Sequence, residues 1–198
     1  MLLIGIGGGT SSGKSTIAKK LVESFDKTGV VRVLSDSYYK DHSNLNFSDR
    51  SKINFDHPNA IDFDLLIKSL KDLKKNIKIK EPVYSYKTHK RLKKTKTVVP
   101  KKIIILEGLH IFCNKKLVNL IDYGFFLDLD SKTRLLRRIN RDVKERGRSI
   151  TEIKKRYIEM CEPMYKKFIF PSRLNANKVL DMKKVNYDYI KEIINEFI

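Results

Sequence analysis

The segment from Gly8 to Ser15, GGTSSGKS, has the residue types and spacing of a phosphate-binding loop, G-x-x-x-x-G-K-[ST]. Such a loop turns backbone N–H groups toward an anion, while its lysine and hydroxyl contact the terminal phosphates and Mg²⁺. Lys14 and Ser15 stand where those groups belong. The alternative, a glycine turn with an incidental Lys and Ser, is disfavoured because the segment joins a buried-strand pattern to a helical one. We expect ATP or GTP with Mg²⁺. The expected nucleotide-binding residues in this segment are Gly8, Gly9, Thr10, Ser11, Ser12, Gly13, Lys14, Ser15 and Thr16.

Two carboxylates follow apolar runs that are typical of buried strands. Asp36 comes after Val30–Leu34, where it could accept the proton of an attacking hydroxyl and help to orient Mg²⁺; the alternative is a helix N-cap. Glu107 follows Ile103–Leu106, a position from which a carboxylate could face Mg²⁺ or its waters. The alternative for Glu107 is a strand-end carboxylate held by backbone N–H groups. We expect Ser15 and Glu107 to be the metal-site residues.

Tyr84, Tyr86 and His89 lie close together on a predicted strand of a hairpin. The two tyrosines share a face, and His89 comes just beyond them, near the hairpin tip. This arrangement suits a planar base, because aromatic faces can stack on it while a phenol and an imidazole contact its polar edge. The alternative is aromatic cross-strand pairing with an exposed histidine.

Six of the 11 arginines fall between Arg134 and Arg148, on a predicted helix and the loop after it. Guanidinium groups can stabilise a phosphoryl group during transfer, and a lid that carries them would exclude water, with Gly147 as its hinge. The alternative is a solvated basic helix, to which we assign Arg134 and Arg137.

The charge balance is 42 Lys and Arg against 23 Asp and Glu, a net charge of +19. Most of the excess is lysine spread over the whole chain, which together with the absence of Trp is typical of an AT-rich genome. Cys113 and Cys161 have no metal-site or disulfide-framework spacing, and no apolar run is long enough for a signal or a membrane span. We therefore expect a cytoplasmic protein.

Strand and helix patterns alternate along the chain, which predicts an α/β fold with a mainly parallel sheet covered on both faces. We expect one domain over residues 1–198, with the hairpin at about 77–99 and the Arg-rich lid at about 134–150. Within the hairpin, Lys87–Lys94 is the expected tip, and Ser131 is the expected cap of the lid helix. The predicted strands are Leu2–Ile6, Val30–Leu34, Ile77–Tyr86, Thr95–Val99, Ile103–Leu106, Phe125–Leu129 and Val179–Leu180. The predicted helices begin at Ser15, Ile61, Ser131, Thr151 and Tyr189.

Six motifs follow one another along the chain, and these are GGTSSGKST at 8–16, DSYYKD at 36–41, NFDHP at 54–58, PVYSYKTH at 82–89, LEG at 106–108 and RDVKERGR at 141–148. Together, over residues 2 to 181, they resemble those of the uridine kinase (uridine-cytidine kinase) family of P-loop kinases. The resemblance implies a P-loop NTPase-type three-layer fold, a helical Arg-rich lid, and ATP-dependent phosphorylation of the 5′-hydroxyl of uridine or cytidine. It also implies a homo-oligomer, a tetramer.

The same resemblance implies roles for individual residues. Asp36 would be the general base on the 5′-hydroxyl, with Lys14 the second catalytic residue, and Asp56 would bind the ribose hydroxyls. Arg141 and Arg146 would approach the phosphates. The residues implied on the nucleoside side are Asp56, Tyr84, Tyr86, His89, Arg138 and Arg148. Tyr86 stands where the family often has Phe, and Ser11 where it usually has Gly.

Two other functions fit parts of the sequence. A related kinase of a non-nucleoside alcohol, resembling phosphoribulokinase or pantothenate kinase, would share the fold but would have no flat base to stack on Tyr84 and Tyr86. A nucleic-acid-binding ATPase would use the positive charge and the basic hairpin tip. We disfavour the latter because the arginines cluster in the predicted lid and no RNA-recognition motif is present. The expected partner is a small nucleoside, not a nucleic acid or a membrane.

Overall fold

The computed structural model describes residues 1–25, 29–184 and 187–197. Its strands are β1 (Leu2–Gly8), β2 (Val30–Leu34), β3 (Ile79–Ser85), β4 (Lys90–Val98), β5 (Ile103–Gly108), β6 (Tyr123–Asp128) and β7 (Lys178–Asp181). Its α-helices are α1 (Lys14–Ser24), α2 (Phe47–Lys52), α3 (Phe63–Lys74), α4 (Lys115–Val118), α5 (Ser131–Arg146), α6 (Ile150–Arg156), α7 (Glu162–Met164) and α8 (Tyr187–Asn195). Among these described helices, none combines the length and the apolar character needed to cross a membrane.

Five strands form one parallel sheet in the order β2-β5-β1-β6-β7, which confirms the predicted α/β fold. Its central strands are apolar along their length because both faces are covered. Alternate residues of β1 therefore enter different cores. Leu3 packs in the core that contains α3, whereas Ile4 and Ile6 pack in the core that contains α1 and α8. The result is the expected three-layer arrangement.

The predicted hairpin is present as an antiparallel pair, β3 and β4. The predicted extent of its tip is wrong, because β4 begins at Lys90 and only residues 86–89 form the turn. The register shifts between Pro82 and Val83, which pair with Thr95 and Leu92. This bulge absorbs two extra residues of β4, Lys93 and Lys94, so the chain continues as a strand in which these two lysines are exposed.

Helix α5 begins after Asp130, whose carboxylate accepts a hydrogen bond from the backbone N–H of Thr133 at 2.9 Å. The predicted cap, Ser131, is instead the first helical residue. The predicted helix from Thr151 is present as a helical segment from Ile150 that runs through α6, a π turn (Tyr157–Cys161), α7 and a second π turn (Tyr165–Ile169). The π turns flank Pro163, which has no N–H to donate.

Candidate functional site

The carboxyl ends of β1, β2 and β5 lie side by side, the position at which open α/β sheets bind ligands. A cavity of about 990 Å³ opens there. Within the phosphate-binding loop, Gly8, Gly9 and Ser12 are buried and do not line the cavity. The cavity is lined by all the other predicted site residues, and these are Thr10, Ser11, Gly13, Lys14, Ser15, Thr16, Asp36, Asp56, Tyr84, Tyr86, His89, Glu107, Arg138, Arg141, Arg146 and Arg148.

The phosphate-binding loop depends on positive backbone angles. Gly8 has φ 141°, and a Cβ there would lie 2.5 Å from the carbonyl oxygen of Leu127. Gly13, at φ 106°, is the N-cap of α1. Ser11 has φ 57°, a left-handed conformation that costs a non-glycine residue roughly 1–2 kcal/mol. The loop thus presents its N–H groups at the amino end of α1, where an anion is favoured.

Lys14 folds back over this loop. Its Nζ donates to the carbonyl oxygens of Gly8 at 3.0 Å and Gly9 at 2.6 Å. Burial lowers the pKa of Lys14 to about 8, while Asp36 partly opposes that shift. Because a nearby anion favours the charged ammonium, a bound phosphate would raise this pKa.

Ser15 and Glu107, the predicted metal-site pair, are in contact. The Ser15 hydroxyl donates to Oε2 of Glu107 at 2.7 Å, and Nε of Arg32 donates to Oε1 at 2.6 Å. A hydroxyl and a carboxylate are hard oxygen ligands of the kind that Mg²⁺ prefers. Over residues 1–25, 29–184 and 187–197 no cluster of three or more acidic, His or Cys side chains could hold a metal. Mg²⁺ is commonly held by one or two protein oxygens together with phosphate and water, and the Ser15 and Glu107 pair fits that kind of site.

Asp36 lies in a 3₁₀ turn (Ser35–Tyr38) directly after β2. Its Oδ2 accepts a hydrogen bond from the Tyr86 hydroxyl at 3.1 Å, and its Oδ1 accepts one from Ser35 at 3.4 Å. The N-cap of this turn is Leu34, so the helix-cap alternative for Asp36 is wrong. The carboxylate is left at the cavity wall, within electrostatic reach of Lys14.

An aromatic cluster lines another part of the cavity. The Tyr84 ring lies 5.0 Å from Tyr39, 6.0 Å from Phe55 and 5.5 Å from Tyr86, measured between ring centroids. His89 stacks on Phe55 at 5.2 Å with an interplanar angle of 10°. The exposed-histidine alternative is wrong, because His89 is buried. The sequence did not single out Tyr39 and Phe55 as site residues, although they lie in the motifs DSYYKD and NFDHP.

Two polar groups in this cluster are available to a ligand. The Tyr84 hydroxyl is buried and has no hydrogen-bond partner in the described part of the chain. Burial, and to a smaller extent the positive charges of Arg156 and Arg148, lower the pKa of His89 to about 4. The imidazole is therefore neutral at physiological pH, with one nitrogen that donates and one that accepts.

Three arginines of α5 converge on Asp142, a fully buried carboxylate. Arg141 lies 2.8 Å from it, and Arg138 and Arg146 lie at 3.5 Å. Burial alone would raise the pKa of Asp142, but Arg141 and Arg146 hold it below its ordinary value. Asp142 therefore keeps its charge and orients arginines predicted for both substrates. Arg138 in addition donates to the Thr10 hydroxyl at 2.9 Å.

The end of α5 reaches Tyr86, which lies in the turn between β3 and β4 and not on the predicted strand. The guanidinium of Arg146 lies 4.5 Å from the centre of the Tyr86 ring, within the range of a cation–π contact. Arg148 lies 3.8 Å from Glu152, at the start of α6. The first contact brings Arg146, which was predicted for the phosphates, next to the tyrosine that hydrogen-bonds to Asp36.

The prediction that Arg134 lies on a solvated helix face is wrong. The side chain is 1% exposed, its Nε donates to the carbonyl oxygen of Leu129 at 2.9 Å, and its guanidinium lies 3.7 Å from the centre of the Tyr165 ring. The reason is that Arg134, Arg138 and Asp142, spaced four apart, form the inward face of α5. Arg137 is exposed as expected, and it lines the cavity.

The chain is similar to known proteins in sequence and in fold. A sequence model of the Phosphoribulokinase / Uridine kinase family matches residues 3–187. The chain is 44% identical over 202 residues to the uridine kinase of Clostridium novyi (strain NT), covering 98% of this chain and 97% of that one. It is 43% identical to the uridine kinase of Clostridium tetani (strain Massachusetts / E88), covering 90% and 86%. Phosphoribulokinase from Rhodobacter spheroides shares the fold with a TM-score of 0.64 at 14% identity, covering 94% of this chain and 73% of that chain.

Proposed function

Since the chain belongs to the phosphoribulokinase/uridine kinase family, we propose that it transfers the γ-phosphoryl group of ATP to the 5′-hydroxyl of uridine or cytidine. One observation carries the proposal. A single cavity is lined by the phosphate-binding loop and by the aromatic cluster around Tyr84. Asp36 accepts a hydrogen bond from Tyr86 of that cluster, and its charge favours the protonated form of Lys14 in the loop. A phosphate donor and a flat acceptor therefore fit on either side of one carboxylate.

The chemistry assigned to these residues is an in-line displacement. The loop and Lys14 hold the terminal phosphates, and Asp36 accepts the 5′-hydroxyl proton as the nucleoside oxygen bonds to phosphorus. The bond to the departing ADP oxygen breaks, and Arg141 and Arg146 stabilise the charge that develops on the transferred group. Water is excluded by the lid helix, so the nucleoside receives the phosphate.

Ser15 and Glu107 are the residues that would hold Mg²⁺. When bound, the ion would neutralise charge on the phosphate oxygens. Arg32 donates to the same Glu107 carboxylate and so orients it toward Ser15. Arg32 was missed at the sequence level, although an arginine within the apolar run VVRVL was a signal.

The acceptor is bound through both its base and its sugar. Tyr84 and His89 are assigned to the polar edge of the pyrimidine, and Tyr86 packs against it. Asp56 is assigned to the ribose, because one carboxylate can accept from two neighbouring hydroxyls. Arg138 and Arg148 complete this side of the cavity.

The two competing functions are less well supported. A sugar phosphate or pantothenate would leave the Tyr84 hydroxyl and the stacked His89 without a matching planar group. For a nucleic-acid-binding ATPase, the exposed lysines of β4 would be the contact surface, but the predicted arginines face the cavity instead. We further propose a homo-oligomeric, tetrameric assembly in the cytoplasm, which sedimentation and cell fractionation would test.

Tyr84→Phe and His89→Ala are each expected to raise KM for uridine by the equivalent of about 1 to 3 kcal/mol, because a polar atom of the base loses its partner. KM for ATP is expected to stay at the wild-type value, since neither side chain reaches the phosphate-binding loop. Steady-state kinetics with each substrate varied in turn measure this. Tyr123→Phe, distant from the cavity, is the matched control. Unchanged uridine KM in both variants would place the base elsewhere and reopen the choice of acceptor.

A further inference from the structure

We propose that Cys161 and His110 are positioning residues that orient Asp56 and so set the preference for ribonucleosides over 2′-deoxyribonucleosides. The inference rests on the proposed function, because it takes Asp56 as the ribose-binding carboxylate. Neither residue was singled out by the sequence motifs for a functional role. Both side chains contact Asp56 across the fold: the Cys161 thiol contacts its carboxylate, and the His110 imidazole contacts its backbone carbonyl.

His110 fixes the backbone of Asp56. The imidazole is fully buried after the end of β5, and its Nε2 lies 2.8 Å from the Asp56 carbonyl oxygen. A carbonyl only accepts, so Nε2 carries the proton. Burial lowers the pKa of His110, which keeps the ring neutral and its single Nε2–H in place. The other ring nitrogen, Nδ1, has no partner among the described residues. The Asp56 carbonyl is thus the only hydrogen-bond partner that the described structure gives this buried ring.

Cys161 fixes the carboxylate itself. Its Sγ lies 3.1 Å from Oδ2 of Asp56, at the end of the first π turn. Burial, reinforced by the charge of Asp56, raises the pKa of Cys161 to about 12, so the sulfur stays protonated and donates. The thiol is 1% exposed, which shields this hydrogen bond from competing water.

The two contacts together restrict both the position of the Asp56 backbone and the rotation of its side chain. A carboxylate held in this way keeps its free lone pairs in one direction, and two vicinal hydroxyls need that fixed direction to bind together. A carboxylate that rotates freely can still meet one hydroxyl. The 2′-hydroxyl is therefore the group whose recognition depends on Cys161 and His110.

A pair of substitutions at Cys161 tests the inference. Cys161→Val replaces the thiol with a slightly larger apolar side chain and removes the donor, so we expect the ratio of kcat/KM for uridine to that for 2′-deoxyuridine to fall roughly three- to ten-fold, through KM for uridine. Cys161→Ser keeps a donor and is expected to retain the wild-type ratio. Thermal unfolding of both variants is measured alongside, because a general loss of folded enzyme would lower both substrates equally.

Asp56→Ala measures how much of the uridine to 2′-deoxyuridine ratio depends on the carboxylate. It also distinguishes a failure of the positioning role from a failure of the ribose assignment. The positioning role would be overturned if Asp56→Ala lowered the ratio while Cys161→Val left it unchanged. It would also be overturned if Cys161→Val lowered kcat/KM equally for both nucleosides. Either result would leave the proposed function intact. An unchanged ratio in Asp56→Ala would overturn the ribose assignment and the inference with it. His110→Leu is expected to lower the ratio in the same direction as Cys161→Val.

Discussion

Asp36→Asn is expected to lower kcat by roughly 100- to 10,000-fold, the usual contribution of a general base, while ATP binding stays at the wild-type level. Asparagine keeps the size of the side chain and can still accept the hydrogen bond from Tyr86. It cannot accept the proton of the 5′-hydroxyl. The loop, Lys14 and the arginines remain in place, so the donor nucleotide should bind as before.

Single-turnover kinetics together with an ATP-binding titration separate the two effects at Asp36. Ser37→Ala, in the same 3₁₀ turn, is the control for a local change in backbone. A kcat for Asp36→Asn close to that of the wild type would show that another group takes the proton.

Lys14→Ala is expected to weaken ATP binding at least about ten-fold and to lower kcat by about 100-fold or more, because the ammonium is assigned to the terminal phosphates in both the ground state and the transition state. Its present partners are the Gly8 and Gly9 carbonyls, so the loss of the side chain also leaves the loop less ordered.

Calorimetric titration with ATP and steady-state kinetics measure the effects of Lys14→Ala. Lys68→Ala, an exposed lysine on α3 that pairs with Asp72, controls for the loss of one positive charge. Wild-type ATP affinity in Lys14→Ala would remove the loop lysine from the proposed mechanism.

The fold was largely predictable because its main signals are local. Apolar runs such as Ile103–Leu106 mark strands buried on both faces, and the glycine-rich loop marks the first strand-to-helix turn. The resemblance to the uridine kinase family is likewise confirmed by the family match and the identity to its members. The extent of the hairpin was not predictable, because the bulge at Pro82 depends on the pairing of β3 with β4.

The parts of the site that escaped prediction depend on contacts between distant segments. Arg32 meets Glu107 across 75 positions, and Cys161 meets Asp56 across 105. No periodicity in the sequence reports such pairs. Arg134 was misassigned for a related reason, because an inward helix face made of charged residues has the sequence pattern of a solvated one.

The central claim, phosphoryl transfer from ATP to a nucleoside 5′-hydroxyl, is tested most directly by ADP release in the presence of Mg²⁺ over a panel of acceptors. The panel contains uridine, cytidine, 5′-deoxyuridine, pantothenate and ribulose 5-phosphate. We predict ADP release with uridine or cytidine and none with 5′-deoxyuridine, which keeps the base and the ribose diol but lacks the accepting hydroxyl. Turnover of pantothenate or ribulose 5-phosphate, with neither nucleoside accepted, would contradict the account.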